Sequence, residues 1–170
     1  MANCKFCISS SNGLECISDI FNKPMLFVNA SPIGHINSWS SNSIWTPKII
    51  LDKNTKRIIS LKEQIEKKLV DLSECDRLEI SYNDYLESMN LEIVDNSKQL
   101  IRDSFNEFVD KIEGKWIKTN QEIEKQLSFW EILSSWDEFY QYHNDEYNRI
   151  YCSLSDTFIN NHGEDFLKSE

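Results

Sequence analysis

The sequence predicts an α/β fold: a small parallel sheet of about three strands, flanked by helices and followed by a helical C-terminal extension. Three observations carry that expectation. Two apolar runs, at residues 5–8 and 25–28, bracket a segment of helical periodicity with tight connections, which is the pattern of a parallel crossover unit. A third apolar run, at 91–94, leads into a long amphipathic stretch. Ser/Thr-x-x-Glu boxes at Ser60 and Thr119 mark two further helix starts.

Taken in order, the first strand (KFCI) enters a polar corner, Ser9-Ser10-Ser11-Asn12-Gly13. Leu14, Ile17 and Phe21 then recur at helical spacing with Cys16 and Ile20 beside them. Glu15, Ser18, Asp19 and Asn22 fall on the other side, so the helix is expected to bury its apolar face. Lys23-Pro24 cannot continue it, because proline lacks the amide that the ladder needs, and residues 25–28 (MLFV) read as a buried strand. Residues 29–46 form a polar loop rich in Ser and Asn, long for a segment without regular structure. Residues 48–51 are briefly extended before a turn at 52–55, and the Ser60 box opens a helix to about Leu72.

Residues 91–94 (LEIV) are read as the third parallel-type strand. Asp95-Asn96-Ser97 offers a cap for a helix striped by Leu100, Ile101, Phe105, Phe108, Val109 and Ile112, and Gly114 suits its left-handed stop. The Thr119 box opens a helix with Ile123, Leu127, Trp130 and Leu133 on one face. From Asp137 the tail is acidic and aromatic, with a short helix expected at 154–159. Residues 1–116 thus carry the sheet, and 117–170 are a helical extension packing on it. Three short strands make a small parallel sheet, so the chain reads as the end of a larger α/β domain.

Acids outnumber bases 28 to 18, for a formal charge of −10 and a pI near 4.8. Nucleic acid and anionic membranes demand a basic face, so neither is an expected partner. The five scattered cysteines suggest no disulfide framework and favour a reducing, cytoplasmic setting. Cys4-x-x-Cys7 has no second pair and lies in a strand, where its side chains face opposite ways, so it reads as core rather than metal or redox. His143 with Asp145 and Glu146 reads as a solvated acidic face. No metal and no cofactor are expected. The longest apolar runs are about five residues, against the ~20 needed to cross a bilayer, so the expected protein is soluble with no transmembrane segment.

In open α/β sheets, ligands bind beyond the carboxyl ends of the strands. Ser10, Ser11, Asn12, Gly13 and Leu14 lie at such an end. Gly13 lets an anion approach the backbone, and the two serines and Asn12 add donors. A helix starting at Gly13 or Leu14 would contribute free amides and its dipole, about 0.3–1 kcal/mol per contact. The same residues also suit a plain helix cap. Neither a dinucleotide glycine motif nor a P-loop occurs.

The stretch SSSNGLECISDIFNKPMLFVNASPIG resembles the donor-binding end of glycosyltransferases built from two Rossmann-like domains, the GT-B architecture. More closely, it is similar to a bacterial glycosyltransferase family linked to surface polysaccharide. The quoted motifs continue in order with SWSSNSIWTPK at 38–48, ISLKE at 59–63 and LEIVDNSKQLIRDSFNEFVDKIEGKW at 91–116, and fade after about Trp136. The resemblance implies that residues 1–116 are an incomplete Rossmann-like half-domain binding a nucleotide sugar as substrate. It also implies transfer of the sugar to an acceptor hydroxyl. Asn12 departs from the family's serine. Only the family's C-terminal portion is matched, so the resemblance implies that a separate N-terminal domain or subunit supplies the rest, including the usual catalytic base. The paired glutamates of retaining members are missing: Glu15 would be the first, but Lys23 holds the second position.

Other candidates lie on the loop that the resemblance places at the cleft. His35 would hydrogen-bond a phosphate or act as an acid, or be an ordinary solvated residue. Ser40, among Ser38, Ser41 and Asn42, offers sugar or phosphate donors, or turn formers. Lys48 would neutralise a diphosphate. No catalytic residue is identified, and three histidines support no serine-histidine-acid triad. The rival class is a non-catalytic acidic interaction or immunity-type protein, whose charge of −10 would dock a basic partner.

Overall fold

The computed structural model describes residues 3–11, 13, 15–36, 41–137, 139 and 152–168. Strand β1 (Cys7–Ser9), helix α1 (Cys16–Ile20) and strand β2 (Met25–Ala30) form the expected crossover, with β1 and β2 parallel and Ile8 opposite Leu26. β3 (Ile44–Pro47) pairs parallel to β2, and β6 (Ser153–Leu154) pairs parallel to β3, giving the sheet order β1-β2-β3-β6. The protein is therefore α/β, with a parallel four-stranded sheet.

Alternation along the strands divides the core. Met25, Phe27, Trp45 and Leu154 face α6 (Asn120–Leu133) and α7 (Asp156–Phe166), whose Phe129, Leu133, Phe158 and Phe166 are fully buried. Phe27 and Trp45 stack with ring centroids 4.5 Å apart. On the other face, Leu26 and Ile44 meet Phe108 of α5 (Lys98–Ile112), with Phe6 and Trp116 at the margin. Each fully buried Leu, Ile or Phe contributes about 1.5–3 kcal/mol.

Several expectations are corrected. Residues 91–94 do form a strand, β5 (Leu91–Val94), but it runs antiparallel to β4 (Ile49–Asp52) in a separate two-stranded sheet. An apolar run specifies a buried strand but not its partner or direction. The loop expected at 29–46 contains most of β3, because Ser43 and Ile44 to Thr46 are drawn into the sheet and buried. The Ser60 helix, α2, ends early (Leu61–Glu66), with Lys68 at φ 55°, and two more short helices follow: α3 (Ser73–Leu78) and α4 (Tyr82–Ser88).

Both capping boxes form as predicted. Glu63 also takes a bidentate ion pair from Arg57, which holds its carboxyl at about 2. Among the described residues no helix is long and apolar enough to cross a membrane, and no disulfide links the five cysteines.

Two helix faces are also corrected. α6 buries Leu133 and packs Trp130 against the core as expected, but exposes Ile123 and Leu127 and buries Gln126 and Phe129 in their place. Gln126 tolerates burial because its amide donates to the Leu154 carbonyl and to Asp156 Oδ1, and accepts from the Leu154 amide. α1 buries Glu15 and Ser18 and leaves Ile17, Ile20 and Phe21 exposed.

The last helix is held by a residue far away in sequence. Glu107 of α5 accepts from Ser155 Oγ (2.8 Å) and from the amides of Asp156 (2.8 Å) and Thr157 (3.0 Å), capping α7 from outside. Burial nevertheless pushes its carboxyl above the usual range. Replacing Glu107 with Ala would strand the amides of Asp156 and Thr157, while Ser155 Oγ keeps Ser104 Oγ (3.0 Å), an expected loss of about 2–3 kcal/mol read as a lower urea midpoint. An unchanged midpoint would show that solvent satisfies them.

Candidate functional site

At the carboxyl ends of β1, β2 and β3 lies a cleft of about 520 Å³. Ser10 follows β1, Asn29 and Ser31 come from the end of β2, and Lys48 follows β3. Asp95, just after β5, closes one side, and Tyr82, Leu72, Ile93 and Pro32 supply an apolar wall. The site exists because three parallel strands end together while the chain beyond β3 departs into a second sheet.

Its framework is fastened by two asparagines. Asn29 adopts φ 51°, a left-handed conformation that Asn tolerates better than most residues. Its Oδ1 accepts from both the amide (2.8 Å) and Nδ2 (2.9 Å) of Asn96, and Nδ2 of Asn96 also donates to the Pro47 carbonyl (2.7 Å). The ends of β2, β3 and β5 are thereby locked together. Tyr82 donates to the Leu69 carbonyl (2.7 Å), and burial raises its hydroxyl pKa well above the usual value, so it remains a neutral donor.

Lys48 Nζ pairs with Asp95 Oδ1 at 2.8 Å. Asp95 is largely solvent-exposed, so this pair contributes no more than about 1 kcal/mol, and an incoming anion can compete for the lysine. A hydroxyl-rich, negatively charged ligand with a flat apolar moiety suits this mixture of Ser, Asn and Lys beside Tyr82, Leu72 and Ile93.

The expected site residues are only partly brought together. Ser10 and Lys48 line the cleft. Ser11 sits at φ 61° with its amide donated to Ser9 Oγ (3.1 Å), and that hydroxyl donates to Glu15 Oε2 (3.0 Å). The corner is thus partly occupied by the chain's own carboxylate. α1 begins at Cys16, not at Gly13 or Leu14, so the expected helix mouth is displaced. Gly13 has φ 94° with open space around it, a backbone shape that glycine adopts freely.

His35 lies on a 3-10 turn (Ile33–His35), is half-buried, and does not line the cleft. Burial lowers its pKa, opposed in part by nearby Asp71, so the ring is neutral at pH 7. Asn12, Leu14 and Ser40, with Ser38, His143, Asp145 and Glu146, lie outside the described residues. Among the described residues no group of three His, Cys, Asp or Glu is placed to hold a metal ion.

Sequence reasoning missed Asn29, Ser31, Tyr82 and Asp95 as cleft residues. The signal was present in part, since Asn29 and Asp95 each lie at the carboxyl end of an apolar run. Asp95-Asn96-Ser97 reads in the sequence as a cap, and Ser97 fulfils it by accepting from the Leu100 amide, while Asp95 lines the cleft and Asn96 fastens its framework. A second cavity of about 310 Å³ lies between Trp136, Asp71 and Glu74. Asp71 is committed to Ser73 and Glu74 to Lys68 and Arg77, and these acids with Glu66 and Asp137 would repel an anionic ligand.

Fold and cleft together define the class: an α/β protein with a cleft of mixed polar and apolar lining at the carboxyl edge of a parallel sheet. Compared with known proteins, the chain matches no family model, no curated protein and no solved structure.

Proposed function

We propose that the chain is the nucleotide-sugar-binding C-terminal portion of a glycosyltransferase, working with a separate domain or subunit that supplies the remaining catalytic groups. The observation that carries this reading is that Ser10 and Lys48, 38 positions apart in sequence, line one cleft where the parallel strands end. Lys48 leaves Asp95 for the diphosphate and offsets the charge that develops on this leaving group as the sugar departs to an acceptor hydroxyl. Ser10 and Ser31 donate to phosphate or sugar oxygens, and the wall of Tyr82, Leu72 and Ile93 takes a flat ring. Preorganised donors aimed at developing charge are the physical basis of such catalysis.

Calorimetry with UDP, GDP and CMP compounds tests this reading. One nucleotide is expected to bind, Lys48→Ala to weaken it at least tenfold, and Asp95→Asn to tighten it up to about fivefold by releasing the lysine. A silent titration with all three would overturn the proposal. The second reading, an acidic interaction protein, is favoured by the charge of −10 and would be supported by that silence together with tight binding to a basic protein.

A further inference from the structure

Asn29 breaks the alternation of β2. Met25 and Phe27 face the core beneath α6 and α7, and a regular strand would send residue 29 the same way. Instead the pairing with β3 slips between Val28 and Ala30, so that Asn29 is the extra residue of a bulge at φ 51°. Ala30 takes the core position in its place. A bulge re-aims one side chain, and this one reaches the cleft.

The orientation of the Asn29 amide follows from its neighbours. A backbone N–H can only donate, and that of Asn96 lies 2.8 Å from Asn29 Oδ1, with Nδ2 of Asn96 at 2.9 Å on the same oxygen. Turning the amide over would set N–H against N–H at both contacts, so the oxygen is held inward and Nδ2 faces away from Asn96. Nδ2 donates to no group among the described residues and is not sealed from solvent, so it opens on the cleft that Asn29 lines. Lys48 leaves the neighbouring strand end, its own amide donating to the Ala30 carbonyl (3.2 Å). A fixed N–H donor on the same strand ends as an ammonium suits an anionic oxygen and offers nothing to a ligand that can only donate.

We propose that Asn29 is a specificity-determining donor of the cleft: its Nδ2 hydrogen-bonds a phosphoryl oxygen of the ligand while its Oδ1 keeps the strand ends together. This deepens the nucleotide-sugar reading, and rests on it for the place of that phosphoryl group in the donor molecule.

Asn29→Asp keeps an oxygen for Asn96 and tolerates the left-handed backbone, but puts a carboxylate oxygen where the N–H donor was. Inorganic pyrophosphate is the probe, with affinity read by calorimetry and the Asn29 side-chain amide followed by heteronuclear NMR. Pyrophosphate is expected to shift that amide resonance, and Asn29→Asp to weaken binding at least about tenfold at an unchanged urea midpoint. Asn83→Asp adds the same charge at the same cleft and is expected to weaken it no more than about threefold. An unmoved resonance, or equal weakening by the two variants, would overturn the proposal. The resonance is read on the wild-type protein, so it decides even where the Asp variant unfolds. Titrations with UDP, GDP and CMP compounds on the same preparations keep the two readings apart. A shifted Asn29 amide with silent nucleotides sinks the nucleotide-sugar site and leaves the phosphoryl contact standing, whereas nucleotide binding beside an unmoved amide does the reverse.

Discussion

Replacing Gly34 with alanine is expected to cost about 4 kcal/mol of stability, more than any other single substitution considered for this protein. A Cβ at that position would lie 2.3 Å from the Val70 carbonyl oxygen and 2.9 Å from Cζ3 of Trp136. The obstacle cannot step aside. The Val70 carbonyl already accepts the Gly34 amide at 2.7 Å, Val70 is fully buried, and Trp136 is almost so. Relief requires separating the turn after β2 from the segment that ends at Leu72, and both flank the cleft through Pro32 and Leu72. The variant should therefore lose ligand affinity as well as stability. Gly13→Ala is the control: φ is 94° but nothing lies within 4 Å, so only backbone strain of about 1 kcal/mol is expected. Urea unfolding of both variants decides the matter, and equal small losses would falsify the close approach.

The second large effect is a dependence of stability on pH that belongs to one lysine. Lys111 of α5 is partly buried, donating to the Ser43 carbonyl (3.2 Å) and Ser153 Oγ (2.9 Å), and sits 4.5 Å above the Trp116 ring. Burial depresses its pKa from 10.5 to about 8, with Lys118 lowering it further and Cys152, Glu107 and Asp156 opposing. The folded pKa lies below the unfolded one, so the stability linked to this group is complete above pH 10.5 and is lost as the pH falls through 8. In full the linkage is about 3 kcal/mol, of which about half appears between pH 7 and 9. Wild-type protein should thus gain about 1.4 kcal/mol more than Lys111→Met over that interval, by urea unfolding under reductant. Parallel profiles would mean that the ammonium is solvated. At pH 7 the methionine variant is expected to be no less stable than wild type, because an apolar isostere carries no desolvation penalty.

The elements that could be read from the sequence share a physical cause. The boxes Ser60/Glu63 and Thr119/Glu122, the Ser97 cap and the left-handed Gly114 depend on residues within a few positions of one another. The tight β1-α1-β2 connection fixed a parallel pair in the same way. What could not be read depended on distant partners. Ile44 to Thr46 are too few and too flanked by polar residues to announce a strand, and become one because β2 and β6 lie on either side. Gln126 is buried because a carbonyl and a carboxylate, 28 and 30 residues away, meet its amide.

The candidate site divides along the same line. Ser10 was legible because chemistry and strand-end position agreed; Lys48 was legible by its charge and the resemblance, and only β3, which the sequence did not announce, makes it a strand-end residue. The contact between Ser9 and Glu15, which fills part of the serine corner, was not legible, because helical phase placed that carboxylate on the solvent side.

By itself the sequence determined the capped starts of α2, α5 and α6, the apolar runs that become β1, β2 and β5, and that the whole is α/β and acidic. Only the tertiary structure decided which strands pair and in what direction, which face of α1 and α6 turns inward, and which polar residues share a cleft. Those choices are made by contacts between segments tens of residues apart, whose energies no local window contains.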